Sequence, residues 1–266
     1  MPAAGAKENP MVSSAIDREV YDIAVDDQFD IYFQPIVTTF QHRIVGFEAL
    51  MKLKKEGLYI KNPDDIFHHR DTVSGETMQL IDMACMKKAL LLGSKIPGDA
   101  MLFINVNGPT VASFLSEFRK KRKSQSLEDA MALSANRIVL EINENTDPVN
   151  VKLIIKLLEP FRKNGMSIAI DDIGIRYPWL NHYTWLRPEY VKLDRFFLKN
   201  ALKWKTHKRV IEGICDMMRM LDTMMIGEGI ETDEEIEFSR TLGMDYLQGF
   251  KFSKAMPVKY WQEHIK

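Results

Sequence analysis

A chain of 266 residues suits one large domain or two small ones, and 45% hydrophobic with 27% charged residues is the balance of a soluble globular protein, which excludes general disorder. With 36 Lys and Arg against 37 Asp and Glu the net charge is −1, which excludes a protein that grips a DNA or RNA polymer through bulk charge. The two cysteines, Cys85 and Cys215, are too few for a disulfide framework or a thiolate zinc site, and a reducing cytoplasm is the compartment they imply. The opening MPAAGAKENP has no secretion-signal pattern, and no apolar run approaches the about 18 residues of a membrane span.

In chain order, residues 1–28 read as an N-terminal extension with a short amphipathic helix from Asp17 to Asp27. A β-rich run from Ile31 to Val37, a polar turn from Thr38 to Arg43 and a second run from Ile44 to Met51 follow. Six turn residues cannot hold a crossover helix, so these two strands pair antiparallel. Then come a helix at Glu76 to Leu92, a strand at Met101 to Val106, helical segments from Pro109 to Leu133 and a strand at Arg137 to Ile142. A helix at Val149 to Asn164, a strand at Ser167 to Asp171, a short helix at Trp179 to Trp185 and a strand at Tyr190 to Leu193 continue the pattern. It ends with a long helix from Arg195 to Leu221, a strand at Thr223 to Ile226, a helix at Asp233 to Leu242 and a strand at Tyr246 to Phe250. This alternation predicts an α/β fold over residues 29–266: a (β/α)8 TIM-like barrel with an antiparallel first hairpin. An open doubly wound sheet fits less well, because Gly227-Glu228-Gly229 lacks the third glycine of a dinucleotide fingerprint. The basic run from Arg119 to Lys123 reads as a solvated face, diluted by Glu117, Glu128 and Asp129.

Function in such barrels gathers at the carboxyl ends of the strands. There the chain places Glu48, Asn105, Glu141, Asp171 with Asp172, Lys192, Glu228 and Gln248. Five carboxylates against one lysine leave a local charge of −4, costly to bury unless balanced. Two divalent cations would balance it, and a set of carboxylates and amides suits Mg²⁺ or Mn²⁺ better than zinc.

These residues lie in blocks that resemble the EAL-type cyclic di-GMP phosphodiesterases. Glu48-Ala49-Leu50 stands within QPIVTTFQHRIVGFEALMKL, followed by FINVN, LEINEN, IAIDDIG, YVKLD, IGEGIET and LQGFKFSKAMP, in family order from about Phe29 onward. The resemblance implies metal-dependent hydrolysis of cyclic di-GMP to the linear dinucleotide pGpG by a homodimer. It also implies that Glu48, Asn105, Glu141 and Asp171 hold one metal, that Asp171, Asp172 and Glu228 surround a second, and that Lys192, Glu228 and Gln248 orient the attacking water. Gln34, Leu50 and Lys52 would meet the substrate.

Two departures stand out. Lys52 replaces an arginine and so keeps the charge but loses the bidentate fork. The loop after the aspartates reads DDIGIRYPWL, where Arg176 takes a position from which it could pair with Glu144 and anchor the loop, or reach a phosphate. A catalytically weak cyclic di-GMP receptor and a protein-interaction module are the alternative readings.

Overall fold

The computed structural model of the protein describes residues 13–69, 71–106, 133–143, 148–163, 165–173 and 179–265. Eight strands close a barrel: β1 (Phe29–Thr38), β2 (Ile44–Leu53), β3 (Met101–Val106), β4 (Ile138–Asn143), β5 (Ser167–Ile173), β6 (Tyr190–Leu193), β7 (Met224–Gly227) and β8 (Tyr246–Gln248). From β2 to β8 each strand lies parallel to the next, and β1 closes the ring by pairing antiparallel with both β2 and β8. The expected barrel with its antiparallel first hairpin is therefore present. A two-residue strand, β9 (Met256–Pro257), adds to β1 opposite Tyr32 and Phe33. Two residues are too few to show alternation, so the sequence gives no sign of it.

The described helices are α1 (Ala15–Val25), α2 (Pro63–His68), α3 (Gly75–Gly93), α4 (Pro148–Arg162), α5 (Trp179–Leu186), α6 (Arg195–Lys203), α7 (Lys205–Met220), α8 (Asp233–Leu242) and α9 (Val258–His264). None of them is long and apolar enough to cross a membrane. Local chemistry sets their ends: α8 starts on a capping box between Thr232 and Glu235 and stops at Gly243, whose φ of 71° is left-handed. At the start of α1, Asp17 is buried and accepts hydrogen bonds from the backbone N–H and hydroxyl of both Ser13 and Ser74. Burial would raise its pKa, but these bonds outweigh that and hold it below the ordinary carboxylate value. Val20 and Ile23 of the same helix join the main core.

One expected element is corrected. The long helix predicted from Arg195 to Leu221 is two, α6 and α7, broken at Trp204, whose φ of −124° and ψ of 115° are extended. The apolar stripes explain the break. In one uninterrupted helix, the buried pair Leu198 and Ala201 and the buried set Ile211, Cys215 and Met218 would point roughly 100° apart at 3.6 residues per turn. Only a bend lets both face the barrel. The last strand is also shorter than read, ending at Gln248 rather than Phe250. The segments expected between Pro109 and Leu133, with the basic run from Arg119 to Lys123, lie outside the described residues.

Period-two alternation divides the core. Outward residues such as Phe47, Leu102, Ile138, Ile168, Val191 and Leu247 pack with the helices. Inside the barrel, Ile36, Phe103, Val139, Ala169 and Ile226 form a separate, fully buried plug, with Val45, Met101, Tyr190 and Tyr246 packed against it. The barrel is thus filled, and its carboxyl end is a floor on which a site can stand.

Candidate active site

Most of the site residues stand two positions past an inward-facing strand residue, so strand pleating carries them to the mouth. Asn105 follows Phe103, Glu141 follows Val139, Asp171 follows Ala169, Lys192 follows Tyr190, Glu228 follows Ile226 and Gln248 follows Tyr246. In the hairpin, Gln34 lies directly opposite Glu48.

The strands bring these side chains together around Lys192. Its ammonium, 1% exposed, lies 2.8 Å from Glu228 Oε1, 2.9 Å from Glu141 Oε1, 3.0 Å from Asp171 Oδ1 and 3.4 Å from Glu48 Oε2. Glu48 also accepts from the amides of Asn105 at 3.0 Å and Gln248 at 2.6 Å. The Gln248 amide reaches Gln34 Oε1 at 3.3 Å, and Gln34 donates to the Ser253 carbonyl at 3.2 Å.

One lysine cannot balance five carboxylates, and the proton affinities show it. Burial, reinforced by the Glu48 charge, raises Glu141 well above its ordinary value. Burial raises Asp171 and Glu228 too, Glu228 strongly, despite the attraction of Lys192. Asp172 is pushed up to about 7 by burial and then by the neighbouring Asp171 charge. Glu48 alone ends lowered: burial acts against it, but Lys192 and the two amides prevail. Lys192 itself is held well above its ordinary value, because the surrounding carboxylates outweigh its burial.

The arrangement fits a cation. Asp171, Asp172 and Glu228 each place a carboxylate oxygen within 4.8 Å of the others. Glu141 Oε2 and Gln248 Oε1 are buried with no hydrogen-bond partner among the described residues. All the donors are hard oxygens.

Two adjacent aspartates on a regular strand would face opposite ways. The β5–β6 register jumps between Ile170 and Ile173, so Asp171 and Asp172 together oppose one residue, and Asp172 takes a left-handed φ of 59°. Asn143, which the sequence reading passed over, donates its amide to Asp172 Oδ2 at 3.0 Å. It stands on β4 two positions past Glu141, opposite Asp171, so the period-two rule alone could have marked it. Glycines shape the two last loops. Gly229 has φ 63°, and a Cβ on Gly249 would lie 2.1 Å from the Ile230 carbonyl oxygen.

Of the other expected residues, Leu50 and Lys52 continue along β2 on the face of Glu48 toward the rim, Leu50 half-buried and Lys52 exposed. The expected Glu144–Arg176 anchor lies outside the described residues.

The EAL domain pattern matches residues 18–255. The chain belongs to the EAL domain family. Among curated relatives, this EAL chain is 27% identical over 256 residues to the cyclic di-GMP phosphodiesterase NbdA of Pseudomonas aeruginosa, covering 94% of this chain and 32% of that protein. It is 26% identical to the probable cyclic di-GMP phosphodiesterase PdeG of Escherichia coli, covering 93% of this chain and 48% of that protein. It therefore spans at most about half the length of these relatives. Among solved structures, the EAL enzyme Bd1971 in its cAMP and cyclic-di-GMP bound form superposes with a TM-score of 0.81 at 24% identity, over 94% of this chain and 68% of that one. A manganese and cyclic di-GMP complex of BlrP1 from Klebsiella pneumoniae gives 0.73 at 23% identity, over 87% and 57%. Both share the EAL barrel.

Proposed function

We propose that this chain hydrolyses one phosphodiester bond of cyclic di-GMP, giving linear pGpG, with the help of two divalent cations. The observation that carries the reading is the convergence of Glu48, Glu141, Asp171, Asp172 and Glu228 with Lys192 at one mouth of the barrel. The names of the relatives supply the substrate.

Glu48, Asn105, Glu141 and Asp171 would hold one ion, and Asp171, Asp172 and Glu228 the other, with Mg²⁺ or Mn²⁺ the best match to an all-oxygen set. Bound there, the ions lower the pKa of a water and neutralise charge on the leaving oxygen. The protein groups do the rest. Lys192 gathers four carboxylates and keeps their oxygens in place. Gln248 has a carbonyl oxygen with no partner among the described residues, which can accept a hydrogen bond from water, and Glu228 supplies a second acceptor. Gln34, Leu50 and Lys52 line the approach, where Lys52 offers a point charge for a phosphate. In the reaction a water oxygen bonds to phosphorus, one P–O ester bond breaks, and the leaving oxygen takes up a proton.

The homodimer is part of the same proposal, supported by exposed Leu180 and Trp185 on α5; a molar mass from light scattering tests it. A cytoplasmic location follows from the substrate class. The decisive experiment is incubation with cyclic di-GMP and Mg²⁺ or Mn²⁺, followed by chromatography for pGpG. Product at a rate that depends on metal is expected. Binding by calorimetry without product would assign a receptor instead, and neither binding nor product would assign an interaction module.

A further inference from the structure

The segment from Arg195 to Ile211 contains six cationic residues and no acidic one, in a chain whose net charge is −1. It forms α6, the break at Trp204 and the first turns of α7. Three of the six cations are engaged: Arg195 and Lys199 with Glu231, and Lys208 at 4.0 Å from Glu212. Lys203, Lys205 and Arg209 make no ion pair with any described residue, and all three are exposed. Between them the elbow presents Trp204, 61% exposed, with Phe196, 59% exposed, and Val210 nearby in sequence.

Trp204, itself extended and flanked by two lysines, is 61% exposed, and an indole held largely in water has a cost. We propose that the elbow formed by Lys203, Trp204 and Lys205 docks the barrel onto an anionic lipid surface. The charge is complementary, and a flat headgroup layer can take diffuse lysine charge while an indole seats at its apolar boundary. A polynucleotide fits less well. The cations that pair with no described residue are two lysines and one arginine on an outward bend, and the ring contacts beside them, Phe196 with Phe197 and Phe197 with His207, are edge-on or tilted rather than an open stacking platform. The α6–α7 break explains why the sequence pattern of one amphipathic helix fails here: the bend that aims both apolar stripes at the barrel also turns Trp204 outward.

The test is co-sedimentation of the intact chain with vesicles of phosphatidylcholine alone and of an equal mixture of phosphatidylcholine and phosphatidylglycerol. Binding only to the mixture, falling with added salt, is expected. Each surface cation strengthens such binding roughly fivefold, so Lys203→Ala with Lys205→Ala should weaken it on the order of 20-fold. Trp204→Ala should weaken it as well, and brominated lipid should quench the wild type more than Trp204→Phe. Unchanged thermal unfolding of these exposed-site variants would show that the fold is intact. No sedimentation with either vesicle, equal binding to both, or binding insensitive to the substitutions would overturn the proposal. So would a dimer lost on Trp204→Ala without vesicle binding, or a single-stranded oligonucleotide that displaces the vesicles at equal phosphate. Activity on cyclic di-GMP is no part of this readout, so the proposal stands or falls separately from the catalytic one.

Discussion

Asn143 gives Asp172 its orientation, and that makes a sharp test. Its amide donates to Asp172 Oδ2 while the backbone of Asp172 sits in a left-handed conformation that only a few side chains tolerate. Removing the donor in Asn143→Ala should lower Mn²⁺ affinity by about tenfold in calorimetry, the scale of a lost ligand-orienting hydrogen bond, with little change in melting temperature. Glu48→Ala removes a ligand outright and should lower pGpG formation at least about 100-fold while the circular dichroism spectrum is kept. The pKa values carry a prediction of their own. Asp172 rises from 3.8 to about 7, and Glu141, Asp171 and Glu228 shift the same way. A carboxyl with a raised folded-state pKa contributes stability that is complete below its unfolded pKa and is lost as pH rises through the folded value. The metal-free protein should therefore melt at progressively lower temperature between pH 4 and about 7. Lowered Glu48 acts the opposite way, but only below its ordinary 4.5. Millimolar Mn²⁺ should flatten the upper part of the curve and release protons as it binds.

At the scale of elements, the loops after β7 and β8 are stitched to each other. Ile230 N–H donates to the Gln248 carbonyl at 3.0 Å, and Lys251 N–H donates to the Ile230 carbonyl at 2.9 Å. A Cβ at position 249 would fall 2.1 Å from the Ile230 oxygen and 2.3 Å from its nitrogen, backbone atoms that cannot rotate away. Gly249→Ala should cost at least about 2 kcal/mol in denaturant unfolding and displace Glu228 and Gln248 together. Period two made most of the site legible in the sequence, because Glu48, Glu141, Lys192 and Gln248 each lie on a strand with inward parity. Three features left no such trace. The bulge at Asp172 adds one residue without any glycine to mark it. Asn143 has the right parity, two positions past Glu141, but nothing in its own strand shows that its partner is Asp172 on the next one. The break at Trp204 has no proline or glycine, and only the mismatch of two apolar stripes betrays it.

At the scale of the whole molecule, ring closure depends on β1, the strand that runs against its neighbours. Gln34 and Gln248 touch across 214 positions of chain. The Trp261 indole also donates to the Phe33 carbonyl at 2.8 Å. During synthesis at about 5–20 residues per second, β1 therefore waits on the order of 10–40 s for its last partner. For that interval one edge of an apolar ten-residue strand lies open to other nascent chains. The strand carries its own protection: Pro35 has no N–H to lend to a foreign strand, and Asp30 places a charge near its start. Pro35→Val should accordingly leave the native melting temperature within a few degrees yet raise light scattering on dilution from denaturant. The slow step in making this barrel would then be the meeting of its first and last strands, and the proline guards β1 against aggregation until they meet.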